Sequence, residues 1–294
     1  MTGVLIIDKP AGITSHDVVN RVRRLLNERS VGHMGTLDPM ATGVLPLVVG
    51  RMTRLAQFYT GSEKTYTGEI RFGFATDTYD AEGDPTTPPN PEVKVSLEQL
   101  QGLAAEFRGK IQQIPPPFSA KKIQGVPAYK LARKKQEVAL APVEIEIKEF
   151  EITSVDGDRA RFIARVTSGT YMRSVAHDLG QRVGWGAHLA SLRRTSVGEF
   201  DQADARPLEQ VEAAMQAGDP ESLFVHPRRL LPGLPAVTAT EEAAAMIRNG
   251  RAVNLPELSQ ARQVKVFRGQ TELIAIATRI AGTLFQPKVV FAAE

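Results

Sequence analysis

Gly32-His33-Met34-Gly35-Thr36-Leu37-Asp38-Pro39-Met40-Ala41-Thr42-Gly43 gathers three glycines, an imidazole and a carboxylate beside an apolar run from Val44 to Val49. Glycines let a backbone turn sharply or approach a ligand closely. Asp38 precedes a proline, which pushes its backbone out of the helical region. A carboxylate held on such a turn can be aimed at a substrate as nucleophile or general base. Asp-Pro is also a common turn former, and from these residues alone the turn-forming reading is the stronger. A buried carboxylate needs a cation to stay ionised, and Arg173 is a candidate. Tyr66 and Tyr171 can stack on a ring or donate a hydrogen bond. Spacing does not by itself bring these four side chains together, and each alone is more often structural.

Other chemistries drop out. The chain has 294 residues and no cysteine, which removes disulfides, thiolate nucleophiles and Cys-ligated metal. No Gly-Lys-Ser/Thr follows the glycines, so they form no P-loop. There is no Gly-x-Ser-x-Gly elbow and no dinucleotide fingerprint after a strand. His33, His177 and His188 lack metal-ligand spacing. The acidic turn from Thr76 to Asp84 misses the terminal acid of a calcium loop. What is left is a carboxylate, arginines and tyrosines, with no cofactor and no metal implied. The net charge of +3 leans mildly towards a nucleic-acid partner.

The elements that must position these residues read as a mixed α+β chain. Val4 to Ile7 form a buried strand closed by Asp8-Lys9-Pro10, and Ser15 is the expected N-cap of a helix with Val18, Val19, Val22, Leu25 and Leu26 on one face. Arg21, Arg23, Arg24 and Arg29 fall mostly off that face. After the Asp38 loop come a strand over Val44 to Val49, a short helix through Leu55 and Tyr59, and a strand over Lys64 to Phe72. Leu97 to Phe107 suit an amphipathic helix. Val143 to Ile152 and Arg159 to Val166 alternate with period two around Asp156-Gly157, a hairpin. Thr167 to Ser174 open a helix, a Gly-rich break surrounds Trp185, and Leu192 to Phe200 reads as a strand.

Between these elements, Phe118 to Gln136 carries Lys121, Lys122, Lys130, Arg133, Lys134 and Lys135 with no acid among them, interleaved with Phe118 and Tyr129. That pattern suits phosphate contact and base stacking, and equally a solvated charged arm. Pro232 to Pro235 mark a boundary. Beyond it are a helix (Thr240 to Asn249) and short strands at Val264 to Phe267, Leu273 to Ala277, Thr283 to Phe285 and Val289 to Phe291, a small β-rich unit. No apolar run reaches the ~18 residues that span a bilayer, and the N-terminus lacks the basic start of a signal peptide, so a cytoplasmic protein without membrane contact is expected.

Gly3-Val4-Leu5-Ile6-Ile7-Asp8-Lys9-Pro10-Ala11-Gly12-Ile13-Thr14-Ser15 and then Gly32 to Pro39 resemble the bacterial tRNA pseudouridine-55 synthase (TruB) family. The resemblance continues in order through Lys64-Thr65-Tyr66, Pro115 to Lys122, Ala128-Tyr129, Ser168 to Arg173, and Gly186-Ala187-His188-Leu189 to Arg194. The tail resembles, less closely, a PUA-type RNA-binding domain. One departure is Ser30, where the family often has Lys; Arg29 is adjacent.

This resemblance implies a pseudouridine synthase fold: a long mixed, mostly antiparallel sheet with a central cleft, plus a small β-rich PUA-like domain. Residues 1–231 would form the catalytic domain, with a basic RNA-gripping insertion at about 112–140, and 232–294 the PUA-like domain. The implied reaction isomerises the uridine at position 55 of the tRNA T-arm loop, without cofactor or metal, in a monomer. Asp38 takes the place of the catalytic aspartate and Arg173 of the arginine that pairs with it. Tyr66 matches a tyrosine that stacks on the target base and is a candidate for proton transfer. Tyr171 lies beside the pair, Leu192 matches an apolar wall, and His33 fills the space left by the flipped nucleotide. Lys121 and Lys122 would grip RNA. Two rivals stand beside it. A non-catalytic tRNA-binding or folding protein predicts that Asp38→Asn leaves cellular function intact. An aspartyl-phosphate phosphatase places its nucleophile before Gly-Thr-Leu, yet no acid lies between Glu28 and Asp38.

Overall fold

The computed structural model describes residues 1–90, 92–119, 122–123, 126–127 and 140–291, the two short pairs as backbone. The sequence expectations for Lys121, Tyr129, the Lys122 side chain and the other basic residues of 118–136 lie outside the described residues.

The chain runs β1 (Gly3–Lys9), α1 (Ser15–Leu25), β2 (Val31–His33), β3 (Thr42–Val49), α2 (Ala56–Tyr59), β4 (Lys64–Phe72), α3 (Leu97–Glu106), β5 (Gly109–Gln113), β6 (Lys122–Ile123) and β7 (Val126–Pro127). It continues through β8 (Val143–Asp156), β9 (Arg159–Val166), α4 (Met172–Val183), β10 (Ala187–Val197), β11 (Phe200–Asp201) and α5 (Leu208–Gln216). The tail adds β12 (Ala236–Ala239), α6 (Glu241–Arg248), β13 (Val253–Asn254), β14 (Gln263–Arg268), β15 (Glu272–Ala281) and β16 (Leu284–Val290). No helix among the described residues is long and apolar enough to cross a membrane.

The large sheet has the order β1-β3-β10-β4-β9-β8-β5, with β2 on β3 and β11 on β10. Its pairings are antiparallel except β3 with β10, which is parallel at Thr42–Arg193 and Gly43–Arg194. This is the mixed, mostly antiparallel sheet that the resemblance implies. Two of its middle strands, β10 and β4, carry residues that line the cleft.

Period-two alternation explains why β1 and β3 are buried on both faces. Leu5, Ile7, Leu45 and Leu47 pack under α1 and the main core, while Val4, Ile6, Val44 and Val48 point the other way, into a cluster with Phe267, Ile276 and Phe291 of the tail. The tail's five-stranded sheet, ordered β12-β14-β15-β16-β13, therefore covers the reverse face of the large one. Each fully buried side chain of this kind contributes about 1.5–3 kcal/mol. At the other end of the large sheet, Phe150 and Phe162 meet edge-on at 5.8 Å.

Several local expectations change. The N-cap of α1 is Thr14, not Ser15: its side chain accepts from Asp17 N while Asp17 caps Thr14 in return. Ser15 is freed for another task. β10 begins at Ala187, five residues before the expected Leu192, because Gly184, at φ +86°, ends α4 cleanly. In the tail, the two expected strands at 283–285 and 289–291 are one, β16, running through Pro287. That proline faces Ala277 at a register shift, where its missing N–H leaves no regular ladder bond unmade. β2, β5, β6, β7, β12, β13 and α5 had no sequence counterpart; six of the seven have five residues or fewer, too short for periodicity to register.

Candidate active site

The loop between β2 and β3 carries Asp38, and buried side chains fix its backbone almost residue by residue. Arg194, fully buried on β10, donates Nε to Val44 O (2.8 Å), Nη2 to Gly35 O (3.0 Å) and Nη1 to Thr36 O (3.3 Å). Ser15 Oγ accepts from Leu37 N at 2.8 Å and donates to Leu37 O at 3.1 Å. Lys9, also fully buried, donates Nζ to Pro10 O (2.8 Å), Pro39 O (3.1 Å) and Ala41 O (2.7 Å). Burial pulls the Lys9 ammonium down to about 8, with the negative charge of Asp38 opposing that fall. At Gly43 the backbone has φ +100° and a Cβ would sit 2.2 Å from Arg194 O, so only glycine lets β3 lie against β10 here.

Arg173 enters from the first turn of α4. Its Nε lies 2.9 Å from Asp38 Oδ2 and its Nη2 donates to Asp38 Oδ1 at 3.2 Å. The other edge of the guanidinium is also occupied: Nη1 donates to Thr78 O (3.1 Å) and lies 3.5 Å from Asp80 Oδ2, and Nη2 donates to Phe118 O (2.9 Å). Gln113 of β5 clamps the residue before the helix, donating to Tyr171 O at 3.1 Å and accepting from Tyr171 N at 2.8 Å.

Asp38 keeps 34% of its side-chain surface open, against 6% for Arg173 and 4% for Asp80. Of the three, it is the most open to a ligand in the cleft. Burial pushes its carboxyl above the ordinary carboxylate range; Arg173 opposes this and Asp80 adds to it. Burial likewise raises the Tyr171 phenol, and with the charge of Arg194 it lowers the His33 imidazole.

The strand register explains how the remaining residues meet. Leu192 lies opposite Gly68 and Arg194 opposite Tyr66, so Tyr66, Leu192 and Arg194 share one face of β4 and β10. Tyr66 and Leu192 are 7% and 8% exposed, and both line a cleft of about 950 Å³. His33, Asp38, Tyr171 and Arg173 line the same cleft. All six candidates drawn from the sequence outside the basic segment are thus brought together. Lys121 and the side chain of Lys122 lie outside the described residues.

Sequence reasoning missed Asp80, Lys9, Ser15 and Arg194. Asp80 was hidden in a turn read only for metal ligands. Arg194 did carry a signal: a charged residue at an inward position of a strand.

This arrangement provides a reachable carboxylate beside a guanidinium, with a phenol and an apolar wall across from it. It suits covalent or general-base work on a flat polar ring.

The chain matches two family models: TruB family pseudouridylate synthase (N terminal domain) over residues 23–172, and tRNA pseudouridylate synthase B C-terminal domain over residues 173–232. It is 48% identical to the tRNA pseudouridine synthase B of Solibacter usitatus over 99% of this chain and 100% of that one. Identity to the Aquifex aeolicus protein of the same name is 38%, over 98% and 99%. Among solved structures, an archaeal box H/ACA sRNP Nop10-Cbf5 complex is similar with TM-score 0.70 and 25% identity, over 99% of this chain and 86% of that one. An H/ACA RNP bound to a substrate RNA containing 2'-deoxyuridine shares the fold at TM-score 0.72 and 22% identity, over 99% and 85%. The chain belongs to the TruB family and is a pseudouridylate synthase, an isomerase.

Proposed function

We propose that this protein converts the uridine at position 55 of the tRNA T-arm loop to pseudouridine, with Asp38 as the catalytic carboxylate. The observation that carries this reading is the pairing of Asp38, the open member of its cluster, with Arg173 in the cleft lined by Tyr66 and Leu192. The tRNA substrate is supported by relatives named for it that align over nearly their whole length.

The reaction breaks the N1–C1′ bond of uridine, turns the uracil and forms a C5–C1′ bond. The hydrogen on C5 leaves as a proton, and N1 gains one. Asp38 can attack C1′, attack C6 of the base, or assist removal of a sugar proton; all three need its ionised form. A base inside a folded loop is out of reach, so it must be flipped out at a cost of a few kcal/mol. Tyr66 stacked on the base, Leu192 behind it and His33 in the vacated space offset that cost. Tyr66 and Tyr171 are the phenols placed to move or hold a proton. Arg173 favours the charged carboxylate, and in a site from which water is displaced that interaction strengthens.

Residues 1–231 act as the catalytic domain and 232–294 as a PUA-like RNA-binding domain; no described tail residue lines the cleft. Lys121 and Lys122, in the basic insertion at about 112–140, contact RNA backbone, since folded RNA is recognised largely by shape and phosphates. The protein works as a cytoplasmic monomer and without metal. The test is incubation with a T-arm hairpin RNA carrying tritium on C5 of the target uridine, in chelator and without nucleotide. Tritium release with formation of the C-glycoside is expected. Release only with added magnesium, or none from a folded protein that binds the hairpin, would overturn the reading.

A further inference from the structure

Tyr79 has φ +64°, in the left-handed region that bulky side chains avoid. Glycine would take this conformation without strain, yet an aromatic residue occupies it. Its two neighbours explain what the turn does. Thr78 O accepts from Arg173 Nη1 at 3.1 Å, and Asp80 Oδ2 lies 3.5 Å from the same nitrogen. The strained residue is the hinge between two groups that face one guanidinium.

The turn is closed from within and tied from outside. Tyr79 N donates to Thr76 O at 3.3 Å, and Thr78 Oγ1 donates to Asp80 Oδ1 at 2.6 Å. From β10, Leu189 N donates to Tyr79 O at 3.0 Å. The ring itself stacks on His177, with centroids 3.8 Å apart and planes 11° from parallel. His177 stands four residues after Arg173 on α4, one helical turn away and on the same side. The element that presents the guanidinium therefore also presents the surface that holds the turn. Neither ring lines the cleft, so neither touches substrate there.

We infer that the Tyr79–His177 stack is a positioning device for Arg173, locking the left-handed turn to α4 so that Thr78 and Asp80 keep the guanidinium aimed at Asp38. This rests on the reading of Asp38 as the catalytic carboxylate. Strained backbone persists only where its surroundings over-determine it, and such residues cluster at functional sites. Without the stack the turn relaxes, Arg173 loses partners on its far edge, and its hold on Asp38 loosens. The reaction slows while RNA affinity is kept. The acid limb of the rate profile moves to higher pH, because Arg173 is what opposes the upward shift of Asp38.

The test uses the full chain and the T-arm hairpin, with single-turnover rate against pH, RNA Kd, and a folding check by thermal melting. Tyr79→Val, whose β-branched side chain resists the left-handed region, should lose about tenfold in rate with Kd within about twofold, and its acid limb should rise. Tyr79→Gly relieves the strain but has no ring to stack, so it should keep about the threefold loss expected of His177→Leu. His177→Leu removes the stack without touching the turn's sequence; it should move rate and acid limb the same way by about threefold in rate, and it decides the matter should the valine variant not fold. Wild-type rate and acid limb in folded Tyr79→Val or His177→Leu would overturn the inference, as would a wild-type rate in the glycine variant. No product from the wild-type protein would remove both this inference and the Asp38 reading; wild-type product with unaffected variants would remove this inference alone.

Discussion

Arg173 and Asp38 meet at 2.9 Å, Nε to Oδ2, but they share burial unequally, 6% against 34% of side-chain surface. The guanidinium is held from several sides and the carboxylate is left facing the cleft. Replacing the carboxylate should therefore leave the scaffold standing. Asp38→Asn is expected to lose roughly 10³-fold or more in rate, within the range for removing a group that moves protons or bonds. It should still bind the hairpin. Arg173→Lys keeps the charge but loses the planar fork that reaches Asp38, Thr78 O and Phe118 O together. A rate loss of roughly 10²-fold with melting temperature nearly kept is expected; a kinetically silent lysine variant would contradict the positioning role given to the guanidinium.

The raised Asp38 carboxyl fixes the direction of the pH dependence. The ionised form does the chemistry in each route considered, so the rate falls as pH drops through the carboxyl's value in the fold. Burial, and after it Asp80, place that value above the ordinary carboxylate value of ~4. Asp80→Asn removes one raising charge while its amide oxygen can still face Arg173 Nη1, so an acid limb that belongs to Asp38 should move to lower pH. Single-turnover rates across the acid limb measure this, and an upward move would mean that Asp80 acts on Asp38 through its hold on Arg173 and not through its charge.

Lys9 gives a stability prediction of defined sign. Its ammonium is pulled down to about 8 in the fold, from an ordinary 10.5. The cost of burying the charge is fully present below the folded value and is relieved as pH rises from there towards the unfolded value. Between these limits the unfolded chain binds more protons, so this group's contribution to stability grows with pH. The stability difference between wild type and Lys9→Met should therefore widen in favour of wild type across that window. Denaturant melts at both ends check it, and a narrowing difference would mean that the fold favours the charged ammonium, with its value raised and not lowered.

Ser15 shows where the chain was readable and where it was not. Its place at the start of α1 followed from residue type, but the cap fell to Thr14, because Thr14 and Asp17 complete a reciprocal box that Ser15 cannot. Its use came from residue 37, 22 positions away, and no local pattern reports such a contact. The same division runs through the site. The strands bearing Tyr66 and Leu192 were legible as strands from their residue types, whereas their meeting depends on a β4–β10 register set by the whole sheet. Lys9 and Arg194 sit in apolar surroundings where a sequence reading expects no charge. Each carries a positive group to backbone carbonyls, and composition cannot separate that use from a surface charge.

Ser15→Ala removes both hydrogen bonds to Leu37 and leaves a buried N–H without that partner. A loss of about 1–3 kcal/mol in stability is expected. Because Leu37 precedes Asp38, the rate should fall more than the affinity for RNA. Equal changes in both would show that the pair steadies the fold without aiming the carboxylate.

Lys121 and Lys122 make the last case, and it rests on sequence. If they contact phosphates, Lys121→Ala with Lys122→Ala should weaken hairpin binding and flatten its salt dependence. Each lost contact to single-stranded or duplex RNA should remove about 0.7–0.9 from the slope of log K against log salt. If their contacts are to phosphates alone, the chemical step in a saturated complex should change little. Titrations at several salt concentrations separate this from the solvated-arm reading, in which affinity and slope both stay at their wild-type values. A weakened affinity with the slope unchanged would point instead to contacts with bases, as Phe118 and Tyr129 in the same segment would make by stacking.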